Sequence, residues 1–248
     1  MILAWHQTSD RFYPGINNVK PRTVLGVLDL LREWGFSFWR GDHFEPDRVT
    51  DRTAVITFDD GYQDNYRLLT RLCGEHITPI VFIPTAYVGR QNVWEYSSRL
   101  FPARHLSVDE INRLVDCGVI VGSHGVSHMS LDGMTRVRLR RELHDSKAEL
   151  EEIIGRTVDL ISYPFGRFTP AVNEAAQICG YRHAFAADPE ECQAGGSGFV
   201  IPRIPIHAAD DYFSLKAKMG RPGRIERLKS RIIRRLAGGS IIRLRALN

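Results

Sequence analysis

Short apolar runs alternate with longer amphipathic segments along most of the 248-residue chain, and no other feature constrains the fold as strongly. Seven runs have the length and composition of buried strands, at residues 2–6, 53–58, 79–84, 119–122, 158–163, 182–187 and 199–206. Five segments between them have helical spacing of apolar residues, at residues 21–34, 62–76, 107–117, 134–154 and 169–179. Strands that alternate with helices pair in parallel through right-handed crossovers. The sequence therefore predicts an α/β barrel of seven strands.

Local signals support the predicted helices. Ser107 is followed three residues later by Glu110, the pattern of a capping box that begins a helix. In the first predicted helix, Val24, Leu28 and Leu31 share one face, which we expect to pack against the sheet.

Length and composition restrict the class of protein. With 43% hydrophobic and 25% charged residues, a chain of 248 residues can bury one core, and one domain is expected. No apolar run reaches the roughly 18 residues of a membrane-spanning helix, and the first residues lack the pattern of a secretory signal. The four cysteines are scattered without a CxxC pair, which indicates reduced thiols. Together these features predict a cytoplasmic location.

Positive charge is concentrated at the C-terminus. Residues 221–248 contain nine Lys or Arg and one acidic residue, a net charge of +8, which leaves −4 of the total +4 for residues 1–220. We predict a barrel domain over 1–220 and a basic amphipathic tail over 221–248, and nothing in the body indicates nucleic acid binding. A helix over 224–236 would place four apolar side chains on one face, namely Ile225, Leu228, Ile232 and Leu236. Such a helix either docks on the barrel or lies at the anionic inner membrane surface.

Polar residues follow the predicted strands where these end. In a barrel of parallel strands the carboxyl ends meet at one face, where the chemistry of such folds is found. The residues at these ends are His6, Asp59 and Asp60, the segments 123-SHGVSH-128 and 163-YPFGRF-168, and His207. We therefore expect these side chains to lie close together.

Three of these residues form a candidate metal site. Asp60, His124 and His128 offer one oxygen and two nitrogen ligands, a set that suits zinc and leaves room for water or substrate. A metal ion would also offset the repulsion between the adjacent acids Asp59 and Asp60. Water on such an ion becomes a nucleophile near neutral pH, and Asp59, which is not a ligand in this scheme, can accept its proton as a general base.

Simpler interpretations exist for each motif taken alone. An Asp-Asp pair at a strand end can be a helix cap or a solvated turn. An H-x-x-x-H pair can be incidental, and His6 alone is more typical of a hydrogen-bonded structural histidine than of a ligand. The combination of the motifs, each at a strand end, favours the metal site.

The combined motifs resemble those of the polysaccharide deacetylases of carbohydrate esterase family 4, which share the NodB-homology domain. The resemblance rests on 57-TFDDGY-62, 123-SHGVSH-128 and 162-SYPFG-166, and it extends from His6 to about Ile206. It implies a distorted (β/α)7 barrel of the NodB type, in agreement with the seven runs. It also implies a hydrolase of non-peptide carbon–nitrogen bonds, which removes an N-acetyl group from an amino sugar.

The resemblance also implies roles for individual residues. Asp59 would be the catalytic base, and one divalent metal, zinc or else cobalt or manganese, would be held by the three predicted ligands. The backbone N–H of Phe165 would stabilise the oxyanion, within a substrate-binding turn that includes Tyr163 and Pro164. Independently of the resemblance, the position of Trp94 and Tyr96 in the loop after the third predicted strand indicates that they stack on a sugar ring or else plug the rim of the barrel.

Two positions depart from the family pattern. Ser162 stands where the family usually has an arginine that orients the base, so the sequence does not show what holds Asp59. The fourth motif has no clear match, and Asp188 is the candidate. In the last motif, 204-IPIH-207, His207 would be the general acid that protonates the leaving amine, or else a histidine just past a buried strand.

The sequence thus predicts a metal-dependent deacetylase of cell-envelope, capsule or exopolysaccharide saccharides, either polymeric or lipid-linked. Two alternatives stay open: a carbohydrate-binding or assembly protein that has lost catalysis, and a deformylase or amidase that cleaves a related C–N amide. The sugar, the metal and the oligomeric state are not determined by the sequence.

Overall fold

The computed structural model describes residues 1–13, 16–94, 101–186, 198–210 and 212–219. Three predictions fall on residues outside these ranges, namely those for Tyr96, Asp188 and the tail at 221–248. The domain division near residue 220 and the membrane contact of the tail therefore stay predictions. Within the described ranges, no helix is long and apolar enough to span a bilayer.

The elements alternate as predicted. The strands are β1 Ile2–Trp5, β2 Gln7–Thr8, β3 Asn18–Val19, β4 Ser37–Phe38, β5 Thr53–Phe58, β6 Ile80–Ile83, β7 Ile120–Ser123, β8 Leu160–Ser162, β9 His183–Ala186, β10 Val200–Pro202 and β11 Ile204–Pro205. The helices are α1 Pro21–Glu33, α2 Tyr66–Gly74, α3 Val108–Asp116, α4 Arg136–Ile154, α5 Pro170–Ile178 and α6 Tyr212–Met219. The predicted helix at 62–76 begins later than expected, because a short 3-10 turn at Gln63–Asn65 precedes α2.

The main sheet is a nearly closed barrel of parallel strands. Its order is β10-β9-β8-β7-β6-β5-β1-β11, and β4 pairs with β5 at the side. The two edge strands β10 and β11 are consecutive in the chain and both belong to the predicted run at 199–206, with Arg203 between them. The seven predicted runs thus supply all eight strands of the sheet order, which confirms the predicted distorted α/β barrel.

The helix boundaries follow from local capping chemistry. Ser107 and Glu110 form the predicted capping box: the Ser107 backbone N–H donates to Glu110 Oε2 at 2.9 Å, and the Ser107 hydroxyl accepts from the Glu110 N–H at 3.3 Å. At the start of α4 the Thr135 hydroxyl accepts from the Arg138 N–H at 3.4 Å, and that helix ends at Gly155, whose φ of +64° suits glycine best.

Aromatic and aliphatic side chains fill the interior of the barrel. Phe82 and Phe185 pack there with ring centroids 5.1 Å apart, next to Val55 and Leu160. Gly122 leaves room for this packing, since a Cβ at that position would lie 2.5 Å from the Phe82 ring. The apolar faces of the helices cover the outside of the sheet in a second, larger cluster. The carboxyl ends of the strands are therefore the polar end of an otherwise apolar barrel.

Candidate active site

The structure brings the three predicted ligands together. Asp60 follows β5, and His124 and His128 follow β7. One ligand atom from each of them can be chosen so that all lie within 4.8 Å of one another, and all three residues are buried. The Nε2 atoms of His128 and His124 lie 3.0 and 3.4 Å from Asp60 Oδ1. Strand ends that are distant in sequence thus meet at one point.

The chemistry of this cluster fits a divalent cation. His124 Nδ1 donates to the Ser162 carbonyl oxygen at 2.7 Å, which leaves its Nε2 lone pair facing Asp60. Asp60 Oδ1 is buried, and the polar atoms that face it are the Nε2 atoms of the His124 and His128 imidazoles. Burial alone would raise the pKa of Asp60, but the neighbouring His128 and His124 rings bring that pKa well below its ordinary value. The residues present can therefore hold a metal ion.

Two of the three candidate ligands have left-handed backbone conformations. The φ angles of Asp60 and His128 are +67° and +55°, a region that costs about 1–2 kcal/mol for residues with a Cβ. His105 Nδ1 donates to the Asp60 carbonyl oxygen at 2.6 Å and so supports the turn. Burial lowers the pKa of His105 to about 4, so its ring is neutral at pH 7. Unfavourable backbone angles of this kind concentrate at functional sites.

An arginine that the sequence did not reveal holds Asp59. The Arg203 Nη1 and Nη2 atoms donate to Asp59 Oδ1 and Oδ2 at 2.8 and 2.7 Å, a bidentate pair. The same guanidinium donates to Thr57 Oγ1 at 3.0 Å and to Ser162 Oγ at 2.8 Å, and it lies over the Phe82 ring. Arg203 is 3% exposed and Asp59 is 4% exposed, so water screens this pair little.

The electrostatics keep Asp59 ionised. Burial would raise the pKa of its carboxyl, but the charge of Arg203, followed by those of His124 and His6, lowers the pKa below its ordinary value. Arg203, which lies between β10 and β11, therefore orients Asp59. The family usually places an arginine for this role at the position that Ser162 occupies here. One sequence signal could have revealed it, since a lone arginine inside an apolar run needs a buried partner.

His6 lies at the site. Its ring is close enough to Asp59 and Asp60 to lower the pKa of both carboxyls. Its Nδ1 is buried without a hydrogen-bond partner among the described residues, and the roles of structural histidine and metal ligand both stay predictions for His6. Asn65 fixes the backbone here, because its side-chain Nδ2 donates to the His6 carbonyl oxygen at 2.6 Å.

His207 is placed just after β11, at the same end of the barrel. It is 6% exposed, and its backbone N–H donates to Asp210 Oδ2 at 2.7 Å. Lys218 in α6 binds the same carboxylate oxygen at 2.6 Å. The role of His207 as general acid stays a prediction.

The predicted substrate-binding turn is present, but its side chains are largely committed to the protein. Tyr163 is 1% exposed and its hydroxyl donates to Asn173 Oδ1, so this side chain supports the turn from below. Pro164 is buried, and Phe165 has a left-handed backbone with φ of +61°. The Phe165 ring packs 4.9 Å from the His128 ring. An oxyanion role for the Phe165 amide stays a prediction.

Trp94 directly contacts the cluster formed by Asp60, His124 and His128. Its ring stacks on His128 with centroids 4.3 Å apart and an interplanar angle of 21°, and the residue is 2% exposed. It also packs against His105 at 5.0 Å. In the described structure Trp94 therefore packs against one of the candidate metal ligands. Its stacking on a sugar stays a prediction.

A parallel barrel that gathers buried carboxylates and imidazoles at one mouth has the architecture of an α/β-barrel hydrolase. The comparison with known families is specific: the model of the polysaccharide deacetylase family matches residues 47–184. The chain belongs to this family, whose members hydrolyse carbon–nitrogen bonds.

Curated relatives match at low identity. The peptidoglycan-N-acetylmuramic acid deacetylase PdaA of Bacillus subtilis is 26% identical over 177 residues, which is 70% of this chain and 59% of the relative. The protein YxkH of the same organism is 24% identical over 159 residues, 64% of this chain and 53% of the relative. The chain thus spans little more than half the length of these relatives.

Solved structures share the fold. IcaB from Ammonifex degensii superposes with a TM-score of 0.69 at 21% identity, over 87% of this chain and 93% of that chain. A polysaccharide deacetylase from Bacillus cereus superposes with a TM-score of 0.68 at 22% identity, over 88% of this chain and 68% of that chain. These similarities support the predicted NodB-type barrel.

Proposed function

We propose that the protein is a metal-dependent deacetylase that removes an N-acetyl group from an amino sugar of a cell-envelope saccharide. The observation that carries the proposal is the different surroundings of two adjacent carboxylates. Asp60 converges with His124 and His128, whereas Asp59 is bound by Arg203 and is no member of that cluster. One carboxylate is thus placed to hold an ion and the other to accept a proton.

Asp60, His124 and His128 would hold the ion, and zinc suits their mixture of one carboxylate and two imidazoles, with cobalt or manganese as alternatives. A divalent ion bound there supplies Lewis acidity, which activates water and polarises the carbonyl of the acetamide. The chain prepares the site by fixing His124 through Ser162 and His128 through Trp94.

Asp59 would act as the general base. Without a cation, two neighbouring buried carboxylates would favour protonation of one of them. Arg203 prevents this and also fixes both Asp59 oxygens, so the base is ionised and oriented before substrate binds. This removes one of the two reasons for considering a catalytically impaired protein, the absence of an arginine at position 162; the unmatched fourth motif is the other.

The substrate class is inferred from the family and from relatives. PdaA carries the name of a deacetylase of peptidoglycan N-acetylmuramic acid, which supports a polymeric or oligomeric envelope saccharide. A lipid-linked saccharide is the alternative carrier. A formamido sugar or a non-sugar amide would use the same site residues.

The proposal is tested by mass spectrometry of N-acetylated saccharides after incubation with the zinc-loaded protein. We expect oligomers that contain N-acetylglucosamine or N-acetylmuramic acid to lose one acetyl group and release acetate. Protein from which a chelator has removed the metal should leave the same saccharides intact. Formamido analogues of these sugars test the deformylase alternative. If zinc is bound but no saccharide loses an acetyl group, the function is wrong.

The proton donor for the leaving amine is tested by replacing His6 and His207 separately with glutamine. His207 is the proton donor that the resemblance to the family implies, so we expect His207→Gln to lower kcat on an N-acetyl sugar by about 10²-fold. His6 also lies at this end of the barrel, and we expect His6→Gln to have the smaller effect.

A second substrate separates proton donation from general damage to the site. The leaving group of 4-nitrophenyl acetate needs no protonation, so the variant that lacks the proton donor should retain most of its turnover of this ester. A larger loss in His6→Gln, with ester turnover retained, would contradict the prediction that His207 donates the proton.

A further inference from the structure

The loop that carries His124 and His128 is bound from behind by a carboxylate on α4. Glu142 Oε2 accepts hydrogen bonds from the backbone N–H groups of Val126 at 3.0 Å and Ser127 at 2.9 Å. Glu142 Oε1 accepts from the Ser127 hydroxyl at 2.6 Å. Glu142 is 7% exposed, so this is a buried carboxylate satisfied by the loop itself.

The opposite side of the loop is held by the segment after β6. The backbone N–H groups of Thr85 and Ala86 donate to the carbonyl oxygens of Gly125 and Val126 at 3.1 and 3.0 Å. The loop carbonyls thus bind that segment while the loop amides bind Glu142. Successive amides that point at one anion form a backbone nest, which fixes the conformation of the loop.

This arrangement supports a turn with left-handed backbone angles, which are unfavourable for His128 but not for Gly125. Gly125 and His128 have φ angles of +75° and +55°. A Cβ at Gly125 would lie 3.4 Å from Glu142 Oε2, so the carboxylate fits closely against the turn. The turn directs the Nε2 atoms of both imidazoles toward Asp60.

Charge points to the same role. In the part of the chain that the structure describes, no Lys, Arg or His side chain forms an ion pair with Glu142, and the carboxylate accepts instead from the N–H and O–H donors of the loop. Charge-assisted hydrogen bonds of this kind are stronger than neutral ones. Loss of the charge would therefore weaken all three contacts at once.

We infer that Glu142 is a positioning residue of the metal site, which holds the 124–128 loop in its ligating conformation and thereby sets the affinity for the metal. The inference rests on the proposed metal site, but it does not depend on which saccharide is the substrate. Partners that orient metal ligands typically change metal affinity about 10–100-fold when they are lost.

The test compares the zinc affinity of Glu142→Gln with that of Glu149→Gln, by competition with a chromogenic chelator. Glu149 lies on the same helix and is exposed, so it is a matched control for loss of one negative charge. We expect Glu142→Gln to weaken zinc binding about 10–100-fold and Glu149→Gln less than about twofold. Circular dichroism of both zinc-free variants checks that the fold is retained.

A folded Glu142→Gln protein that binds zinc as tightly as the wild type would overturn the inference. If Glu142→Gln does not fold, Ser127→Ala carries the test, because it removes only the hydroxyl contact: a weaker zinc affinity supports the role, and an unchanged affinity overturns it. Failure of the wild type to bind zinc would instead refute the proposed metal site, so the two failures are distinguishable.

Discussion

Replacing Asp59 with asparagine is expected to lower kcat for N-acetyl hydrolysis by about 10³-fold, which is a typical effect of losing a general base. Asparagine has nearly the same shape but cannot accept the proton, and only its Oδ1 can still accept a hydrogen bond from Arg203. Because Asp59 is not one of the three candidate metal ligands, KM and zinc content should change little. Steady-state acetate release by the zinc-loaded variant measures the effect.

Asp116→Asn is a suitable control for this experiment. Asp116 is exposed at the end of α3, away from the strand ends that form the site, and its replacement should leave kcat unchanged. An Asp59→Asn protein with wild-type turnover would show that another group accepts the proton.

Replacing Arg203 with methionine should have two large effects. It leaves the Asp59 carboxylate buried without a cation, which typically destabilises a fold by about 3–5 kcal/mol. It also removes the group that orients the base, and we expect kcat to fall by about 10²-fold. Thermal unfolding and acetate release measure the two effects separately.

The pH profile shows whether Arg203 acts on the base or only on the fold. Arg203 lowers the pKa of Asp59, so its loss raises that pKa, and the base becomes protonated at a higher pH than in the wild type. The acid limb of kcat/KM should therefore move to higher pH in Arg203→Met. Arg203→Lys, which keeps the charge but not the bidentate contact, should show a smaller displacement.

A double variant provides the control for stability. If Arg203 stabilises the fold mainly by compensating Asp59, then Asp59→Asn should recover part of the stability lost in Arg203→Met. An unmoved acid limb together with additive stability losses would contradict the pairing of these two residues.

The fold was predictable because periodicity reports burial. Strands such as β5, in which all six residues are buried, appear in the sequence as continuous apolar runs. The cluster of Asp60, His124 and His128 was predictable for a related reason, since the carboxyl ends of parallel strands must meet. Strand β4 was missed, because two residues that are partly exposed leave no periodic signal.

The partner of Asp59 could not be predicted in the same way. Arg203 is separated from Asp59 by 144 residues, and it comes into contact because the barrel closes between β10 and β11. Ser162 occupies the position of the usual arginine and still contributes, by accepting a hydrogen bond from Arg203. A contact between residues so far apart in sequence depends on the three-dimensional structure of the barrel, and local sequence patterns carry no signal of it.

Zinc content and acetate release, measured together on Asp59→Asn and Asp60→Asn, test most directly whether these adjacent carboxylates have different tasks. We expect Asp59→Asn to bind one zinc ion with wild-type affinity and to have lost turnover, and Asp60→Asn to have lost both zinc and turnover. Equal loss of zinc in the two variants, or an active Asp60→Asn protein that retains zinc, would contradict the division of roles between Asp59 and Asp60.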